Sequence, residues 1–319
     1  MLRYVLARLL ATIPVVIMTS VIVFALMRLL PGDPVTVLLG QAHVDVSEEQ
    51  LAKMRHDYGL DQPIPIQYLA WGRRALAGDF GRSIQSRQPV WDVVQPRILP
   101  TVQIGLTAWL LALLVGIPAG IVTATAQNTW KDWAGSIAAL VGAAMPYFLV
   151  GGLLIYFVAL KWGLLPASGF VSPFTDPLAS LKTTLLPALT LALGLAAVVT
   201  RQTRSSFADV MQKGFIKTAR AKGLAESRVV SDHAFQNAML PVVTILGIQL
   251  ATVFSGAVIT ETIFAIPGIG RLLVDSILSR DYPVVQAVVL FISLMVVAAN
   301  LAVDIAYGLL DPRIRAAPA

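Results

Sequence analysis

The sequence predicts an all-α polytopic membrane protein with about six transmembrane helices. Of its 319 residues, 56% are hydrophobic and 13% are charged, about half the charged share of an ordinary soluble domain. Uncharged runs near or above the roughly 20 residues that cross a bilayer core recur along the chain. They are continuous, whereas the strands of a membrane barrel alternate apolar and polar residues. The runs are Leu9–Met27, Ile98–Trp130, Trp133–Leu160, Thr183–Thr200, Ala234–Thr260 and Val284–Val303.

The first run is predicted to be an uncleaved helix. Basic Arg3 and Arg8 precede an apolar stretch longer than the core of a secretory signal, and no small-residue cleavage site follows it. We divide the chain into residues 1–100, which hold this helix and an extracytoplasmic region, and residues 101–319, the core transmembrane domain with a cytoplasmic loop near 205–236. Prolines within the spans indicate helices that bend and pack inside a bundle. They are Pro14, Pro118, Pro146, Pro187 and Pro241.

The region between the first two runs has helices of its own. Ser47-Glu48-Glu49-Gln50 is a capping box, and Gly59 can end the helix that it starts. A second helix is predicted from Ile66 to Ala77, with Gly78 beyond it. The aromatic residues of this region are expected to pack against the spans; they are Tyr58, Tyr68, Trp71, Phe80 and Trp91.

The distribution of Lys and Arg predicts the orientation. Stretch 201–236 holds seven of them, whereas 161–183 and 261–283 hold two each. Because cytoplasmic loops carry the excess of basic residues, 201–236 is expected in the cytoplasm, and an even number of spans places both termini there. Region 31–97 then lies outside. The net charge of +6 follows from the same bias and needs no nucleic acid.

No catalytic or metal site is predicted. The chain has no cysteine, which excludes thiolate and zinc–sulfur chemistry. Its three histidines include no His-Glu-x-x-His pair, which excludes a zinc protease of that type. The P-loop pattern ending in Gly-Lys-Ser/Thr is absent, so the chain is not expected to bind ATP in that way. Ion-coupled carriers usually hold several charges within their spans. Here the candidates are Glu261 and Asp304, and Asp304 is expected to accept hydrogen bonds from a neighbouring helix.

The predicted cytoplasmic loop contains a small amphipathic helix. Lys213, Lys217 and Arg220 share one face, and Phe215, Ile216 and Ala219 form an adjoining apolar strip. Gly223 can end this helix, and Ala225 to Asn237 is predicted to form another. A basic loop lying on anionic lipid is the alternative. The small Ala219 and Ala221 favour a protein groove instead, since lipid-bound helices prefer large apolar residues.

Segment 261–283 is predicted to be a short helix folded back against the mouth of the bundle. Arg271, Asp275, Arg280 and Asp281 make a seventh span costly, and Pro267-Gly268 interrupts any long helix. Its apolar face is expected to consist of Leu272, Leu273, Ile277 and Leu278.

The motifs resemble those of binding-protein-dependent ABC importer permeases of the dipeptide/oligopeptide/nickel family. The loop carries Thr218-Ala219-Arg220-Ala221-Lys222-Gly223 and then His233-Ala234-Phe235-Gln236-Asn237-Ala238-Met239-Leu240-Pro241. Further matches run in order along the chain. They are Arg8 to Pro14, 29–34, 58–63, Gly78-Asp79-Phe80-Gly81-Arg82-Ser83, Glu261 to Phe264, 266–273 and 311–315.

The resemblance implies a type I-like ABC importer fold and the first permease subunit of a peptide-type importer in the bacterial inner membrane. Implied partners are a second permease, two ATPases that bind ATP and Mg, an extracytoplasmic solute-binding protein and membrane lipid, with no cofactor on this chain. The implied ATPase-coupling residues are Lys217, Thr218, Ala219, Arg220, Ala221, Lys222, Gly223, Leu224 and Glu226. For the outer gate or receptor docking they are Glu261, Pro267, Gly268, Gly270, Arg271 and Asp275. The alternative is a stand-alone secondary carrier or channel, which would need inverted repeats or several buried charges.

Overall fold

A computed structural model describes residues 2–29 and 61–310. Its helices are α1 (Leu2–Leu29), α2 (Ile64–Leu76), α3 (Val90–Thr125), α4 (Trp130–Ala144), α5 (Tyr147–Leu154), α6 (Pro177–Met211), α7 (Gly214–Ala221), α8 (Glu226–Arg228), α9 (Phe235–Ile263), α10 (Ile269–Leu278) and α11 (Tyr282–Leu310). A π-helical segment, Ile155–Lys161, extends α5, and another, Val229–Ala234, joins α8 to α9. The predicted helix at 47–59, the motifs at 29–34 and 311–315, Tyr58 and the side chain of Asp304 lie wholly or partly outside the described residues.

The all-α polytopic class is confirmed. Within the described residues, five helical segments are long and apolar enough to cross a membrane, and α4 with the extended α5 forms a bent pair that makes a sixth. The pair bends by 102° at Met145-Pro146. The run Trp133–Leu160, which we predicted as one span, is therefore two helices. Pro118, Pro187 and Pro241 lie inside helices that continue through them.

Helices α3 and α6 run in the same direction. Gln103 donates hydrogen bonds to Ser180 and Thr184 near the start of both helices. Near their ends, a Cβ added to Gly120 would overlap Cβ of Thr203. The missing side chain therefore lets the two backbones approach closely, as small residues do in membrane helix packing.

The bent pair returns the chain across the bundle, antiparallel to α6. Asp132 at the start of α4 bonds to Arg204 near the end of α6. Farther along, Tyr147 lies against Gly194, and Gly151 lies against Thr190. Because α3 ends where α4 begins, and α6 begins at the opposite end, the α4–α5 connection must cross the bundle once.

Residues 2–29 and 61–310 therefore cross the bundle six times, the bent pair counted as one crossing, and the bundle has two distinct ends. The α7 end comprises residues 126–129 and 212–225. The α10 end comprises residues 79–89, 162–176 and 264–281. Helix α9 runs from the first end to the second, since Trp109 of α3 donates to the carbonyl of Leu246 and Thr101 donates to Glu261. Helix α2 lies at the α10 end, because the chain after it leads directly to Phe80, whose ring packs on Trp91 and Phe291.

The centre of the bundle is built on α6, whose buried residues pack against α3 and α9. This core contains Ile104, Ala108, Leu186, Leu191, Leu195 and Val253. The aromatic packing predicted for the region before α3 is confirmed for the described residues. Tyr68 and Trp71 contact Phe24 of α1, and Phe80 and Trp91 contact Phe291 of α11.

Three predicted boundaries differ from the structure. Helix α3 begins at Val90 and continues through the domain boundary that we placed after residue 100. Helix α6 continues to Met211, so Arg201 and Arg204 belong to its last turns and not to a loop. The helix predicted from Ala225 to Asn237 is the start of the α8–α9 span. The last turns of these helices contain polar and charged residues. A search for uncharged runs therefore ends each helix too early.

Candidate functional site

Helix α7 is fixed to the bundle by its apolar face. Ile216 and Ala219 are three residues apart and so share one helix face. They pack into a cluster that includes Phe207 of α6 and Val229 and Ala234 of the π-helical segment. Ile216 is fully buried, whereas Phe215 is 42% exposed. The predicted apolar strip is therefore confirmed for Ile216 and Ala219. The prediction was wrong for Phe215, which does not pack against the bundle.

Gly223 ends α7 in the left-handed conformation that the sequence predicted. Its φ is +77°, a region that favours glycine because other residues clash there. The N–H of Gly223 donates to the carbonyl of Arg220, and the N–H of Leu224 lies 3.5 Å from the carbonyl of Ala219. This is the Schellman pattern of a helix C-terminus. A Cβ added to Gly223 meets no atom of this chain within 4 Å.

An ion pair closes the turn after α7. Arg220 donates two hydrogen bonds to the carboxylate of Glu226, at 3.0 and 2.5 Å. These bonds raise the pKa of Arg220. The pair joins the end of α7 to the start of α8, so the exposed turn between them is held from both sides.

The nine predicted coupling residues separate into two groups. Ala219 is buried and Leu224 is half-buried against the bundle, while Arg220 and Glu226 bind each other. The remaining five form the outward surface of α7 and its turn: Lys217, Thr218, Ala221, Lys222 and Gly223. This surface is basic and contains small residues.

At the α10 end, a buried carboxylate joins three helices. Glu261 near the end of α9 is fully buried. It accepts hydrogen bonds from Oγ1 of Thr101 in α3, at 2.6 Å, and from the N–H of Arg271 in α10, at 2.9 Å. Oγ1 of Thr101 accepts in turn from the N–H of Ile269. The carboxyl group of Glu261 thus lies at the N-terminus of α10 and accepts from one of the N–H groups that the helix leaves free there.

Gly268 and Gly270 make room for this arrangement, which we call the Glu261 clasp. A Cβ at Gly268 would overlap the carboxyl group of Glu261, and one at Gly270 would lie 2.6 Å from Cα of Val258. Neither position can accept a side chain without displacement. The clasp therefore depends on two glycines that approach α9 directly.

A second buried carboxylate holds the other end of α10. Asp281 is 3% exposed and accepts from Oγ of Ser83 at 2.5 Å and from the N–H of Ile84 at 3.1 Å. The N–H of Gln85 lies 3.4 Å from the same carboxylate. Burial of a carboxylate is costly unless hydrogen bonds satisfy it, and here hydroxyl and backbone donors do so. We call this contact the Asp281 latch.

Segment 261–283 was predicted to hold a short helix folded back against the bundle, and α10 is such a helix. Its ten residues are too few to cross a bilayer. Its apolar face is partly different from the prediction. Leu272 is buried, but Ile277 is 55% and Leu278 is 79% exposed; Ile269 and Ser276 take the buried positions instead. Of the predicted outer-gate residues, Glu261, Gly268 and Gly270 are buried within the clasp. Pro267 and Asp275 are exposed, and Arg271 is partly exposed.

Sequence reasoning missed one charged pair. Asp132, only 5% exposed, accepts from Nε and Nη2 of Arg204 at 2.6 and 2.8 Å. The N–H of Asn128 also donates to it. We had assigned Arg204 to a loop and did not consider Asp132. An acidic residue in the first turn of a membrane helix is the signal that could have identified the pair.

The sequence matches family models over most of its length. Residues 116–316 match the family described as binding-protein-dependent transport system inner membrane component. Residues 1–105 match the N-terminal component of such membrane proteins. The chain belongs to this permease family.

This permease is 40% identical over 341 aligned residues to the dipeptide transport system permease protein DppB of Escherichia coli K12, with 99% of each chain covered. It is 42% identical over 315 residues to the glutathione transport system permease protein GsiC of Salmonella typhimurium LT2, also with 99% covered. The resemblance found in the motifs is thus confirmed, and the permease is a multi-pass inner-membrane protein.

Solved structures show the same fold. An inward-facing structure of the MetNI methionine ABC transporter matches 69% of this permease and 96% of its own chain, with a TM-score of 0.58 and 15% identity. A crystal structure of an amino acid ABC transporter with histidines matches 70% and 94%, with a TM-score of 0.51. The expected importer permease fold is confirmed.

Proposed function

We propose that this permease forms the membrane path for di- or oligopeptides in an ATP-driven, binding-protein-dependent importer. Its two reported relatives carry the names of dipeptide and glutathione transport systems, and glutathione is itself a tripeptide. In this proposal the path is shared with a second, similar permease. Two ATPases bind ATP and Mg, and an extracytoplasmic solute-binding protein delivers the peptide. The permease itself hydrolyses no ATP.

The α7 end faces the cytoplasm in this proposal, together with both termini. The stretch 201–236, which includes this end and the helical turns next to it, holds seven basic residues, against two for each of the stretches 161–183 and 261–283. Region 31–97 is too long for the rule to weigh. That asymmetry has the sign of the positive-inside bias. The α10 end, with α2 beside it, then lies on the extracytoplasmic side, where the solute-binding protein acts.

The observation that carries the proposal is the packing of α7 against the start of the α8–α9 span. Its buried face rests on Val229 and Ala234, which belong to the helical segment that continues through α9 to Glu261. Glu261 in turn holds α10. A displacement of α7 by an ATPase is therefore transmitted along one span to the opposite end. Coupling requires that the closed ATPase pair fits one conformation of the bundle better than the other.

Substitutions at Gly223 test whether α7 and its turn contact the ATPases. We expect Gly223→Asn and Gly223→Asp each to reach the membrane folded, because the added atoms meet nothing in this chain and the positive φ costs only about 1 kcal/mol. In the assembled importer both should lower peptide-stimulated ATP hydrolysis and transport, since the side chain would enter the ATPase contact. The larger loss is expected for Asp.

Gly78→Asn is the matched control. Gly78 also ends a helix, with φ +81° and open space at its Cβ, but it lies at the opposite end. It should leave ATP hydrolysis and transport normal. If Gly223→Asn transports as well as Gly78→Asn, Gly223 only caps α7 and the proposed coupling is refuted. Peptide uptake by vesicles that contain this permease alone would instead support a stand-alone carrier.

A further inference from the structure

Helix α2 exposes an apolar surface beside the first span. Leu69 is 68%, Leu76 is 93% and Ile66 is 50% exposed. On a helical projection these three lie within about 80° of one another. Tyr68 and Trp71 face a different direction and contact α1. A narrow polar face on a third side of the helix holds Gln67 and Arg74.

The contacts of α2 with α1 determine its depth in the membrane. Oη of Tyr68 lies 2.8 Å from Oγ of Ser20, and the rings of Tyr68 and Trp71 lie 5.6 and 5.8 Å from that of Phe24. Ser20 and Phe24 both belong to the apolar span Leu6–Ala25. Helix α2 therefore lies beside the last two turns of a membrane-crossing helix and not above it in water. Tyr and Trp favour this interfacial depth.

The charges of α2 are those of a helix bound to anionic headgroups. Its thirteen residues include Arg73 and Arg74 but no acidic residue. Arg73 lies between the exposed apolar side chains, where a long side chain can place its charge among the headgroups while its stem covers apolar surface. Ile17 of α1, 53% exposed, lies on the same helix face as Ser20 and Phe24 and one turn nearer the bilayer core, so apolar surface continues below α2.

We propose that α2 is an interfacial helix that inserts Ile66, Leu69 and Leu76 into the lipid at the α10 end, with Arg73 and Arg74 binding anionic phospholipid headgroups. This inference does not depend on the transported solute or on coupling. A second permease or the solute-binding protein would be a different occupant of the same surface, and the experiment separates these cases.

The chain has no cysteine, so single nitroxide labels can measure depth directly. The full-length permease is reconstituted alone in vesicles of phosphatidylcholine with phosphatidylglycerol, and labels are attached to Leu69→Cys and Leu76→Cys. Collisions with oxygen report lipid, and collisions with a water-soluble nickel chelate report water. Leu114→Cys, 70% exposed in the middle of α3, is the lipid control, and Ser86→Cys in the exposed loop after α2 is the water control.

We expect labels at 69 and 76 to lose nickel-chelate collisions almost to the level at 114, at a shallower depth. Adding Arg73→Gln and Arg74→Gln should raise these collisions in vesicles with phosphatidylglycerol and change little in phosphatidylcholine alone. Nickel collisions equal to those at position 86 would overturn the proposal. So would protection that appears only when the second permease or the solute-binding protein is added. An unchanged depth in the double arginine variant would overturn the headgroup contact.

Discussion

At the scale of single residues, the Glu261 clasp explains why position 268 is glycine. The backbone of Gly268 has an ordinary extended conformation, with φ −101°, so backbone freedom is not the reason. The carboxylate of Glu261 occupies the space where a Cβ would lie. The motif Ile266-Pro267-Gly268-Ile269-Gly270 was visible in the sequence. The need for glycine at position 268 comes from the side chain of Glu261, which lies seven residues earlier in α9.

Gly268→Ala should therefore destabilise the permease by about 1–3 kcal/mol, the usual cost of forcing extra volume into a packed site. Thermal unfolding of the detergent-solubilised protein measures the change. Gly152→Ala is the matched control, since Gly152 lies in α5 and its added Cβ meets nothing within 4 Å; its melting temperature should change little.

A double-mutant cycle assigns the cost to the clasp. Glu261→Ala alone should also destabilise the protein, because it leaves the hydroxyl of Thr101 and the N–H of Arg271 without their buried acceptor. In that background Gly268→Ala should cost much less, since the carboxylate is gone. Equal costs in both backgrounds would show that Gly268 does not serve the clasp.

Local signals predicted single residues well where the physics is local. Gly223 and Gly78 both follow the last turn of a helix, and both have positive φ. The pair of Asp132 and Arg204 was missed because the two residues are separated by 72 positions. Their partnership depends on how α4 packs against α6, which no local pattern contains.

At the scale of elements, α10 is a short helix that is held at both of its ends. The clasp holds its N-terminus and the Asp281 latch holds the residues just after its C-terminus. The latch also fixes the loop 82–89, since Ser83, Ile84 and Gln85 donate to one carboxylate. The motif Gly78-Asp79-Phe80-Gly81-Arg82-Ser83 thus ends in a donor whose acceptor lies 198 residues away.

Removing the latch acceptor should release this loop. In Asp281→Ala, trypsin should cut after Arg82 and Arg87 faster than in the unaltered protein, because three donors lose their partner and local opening becomes easier. The exposed Lys213 and Lys217 at the α7 end provide an internal control, and cleavage after them should keep its rate. Peptide mapping over a time course of digestion in detergent measures both ends in one sample.

Ser83→Ala should give a smaller increase, since it removes one donor and leaves two backbone N–H groups on Asp281. If cleavage after Arg82 and Arg87 is unchanged in both variants, the latch does not hold the loop.

The elements themselves were predicted to different degrees. Within the part of the chain that the structure describes, each span coincides with an uncharged run, because length and hydropathy decide whether a helix can cross lipid. The run Trp133–Leu160 gave no sign of a 102° bend, since other prolines with the same local sequence effect lie in helices that continue. The bend lies at Met145-Pro146, and on either side of it both α4 and α5 contact α6 through residues far apart in sequence, which no local pattern shows.

At the scale of the whole molecule, one helical path connects the two ends. Helix α7 is packed on the start of the α8–α9 span, and α9 ends at the clasp. The exposed surface of α7 and the clamped α10 are thus the terminal parts of one continuous element. The sequence predicted each end separately. It did not predict that they are connected, because that depends on α8, the π-helical segment and α9 forming one uninterrupted helix from Glu226 to Ile263.

The six crossings give the molecule a definite sidedness. The decisive connection is α4–α5, because parallel packing of α3 and α6 requires it to traverse the bundle. Gln127 precedes this connection and Thr175 follows it, and both are exposed. We expect Gln127→Cys and Lys222→Cys to be on the cytoplasmic side, and Thr175→Cys and Ser86→Cys on the outer side.

A membrane-impermeant thiol reagent added to intact cells should therefore modify positions 175 and 86 and spare 127 and 222, while all four should react after the membrane is permeabilised. The absence of native cysteine leaves no background within the chain. Reaction of 127 and 222 with sparing of 175 and 86 would mean that the orientation is inverted. Reaction of 127 and 175 from the same side would mean that α4–α5 is a re-entrant segment, and α3 and α6 could then not pack in parallel as full spans.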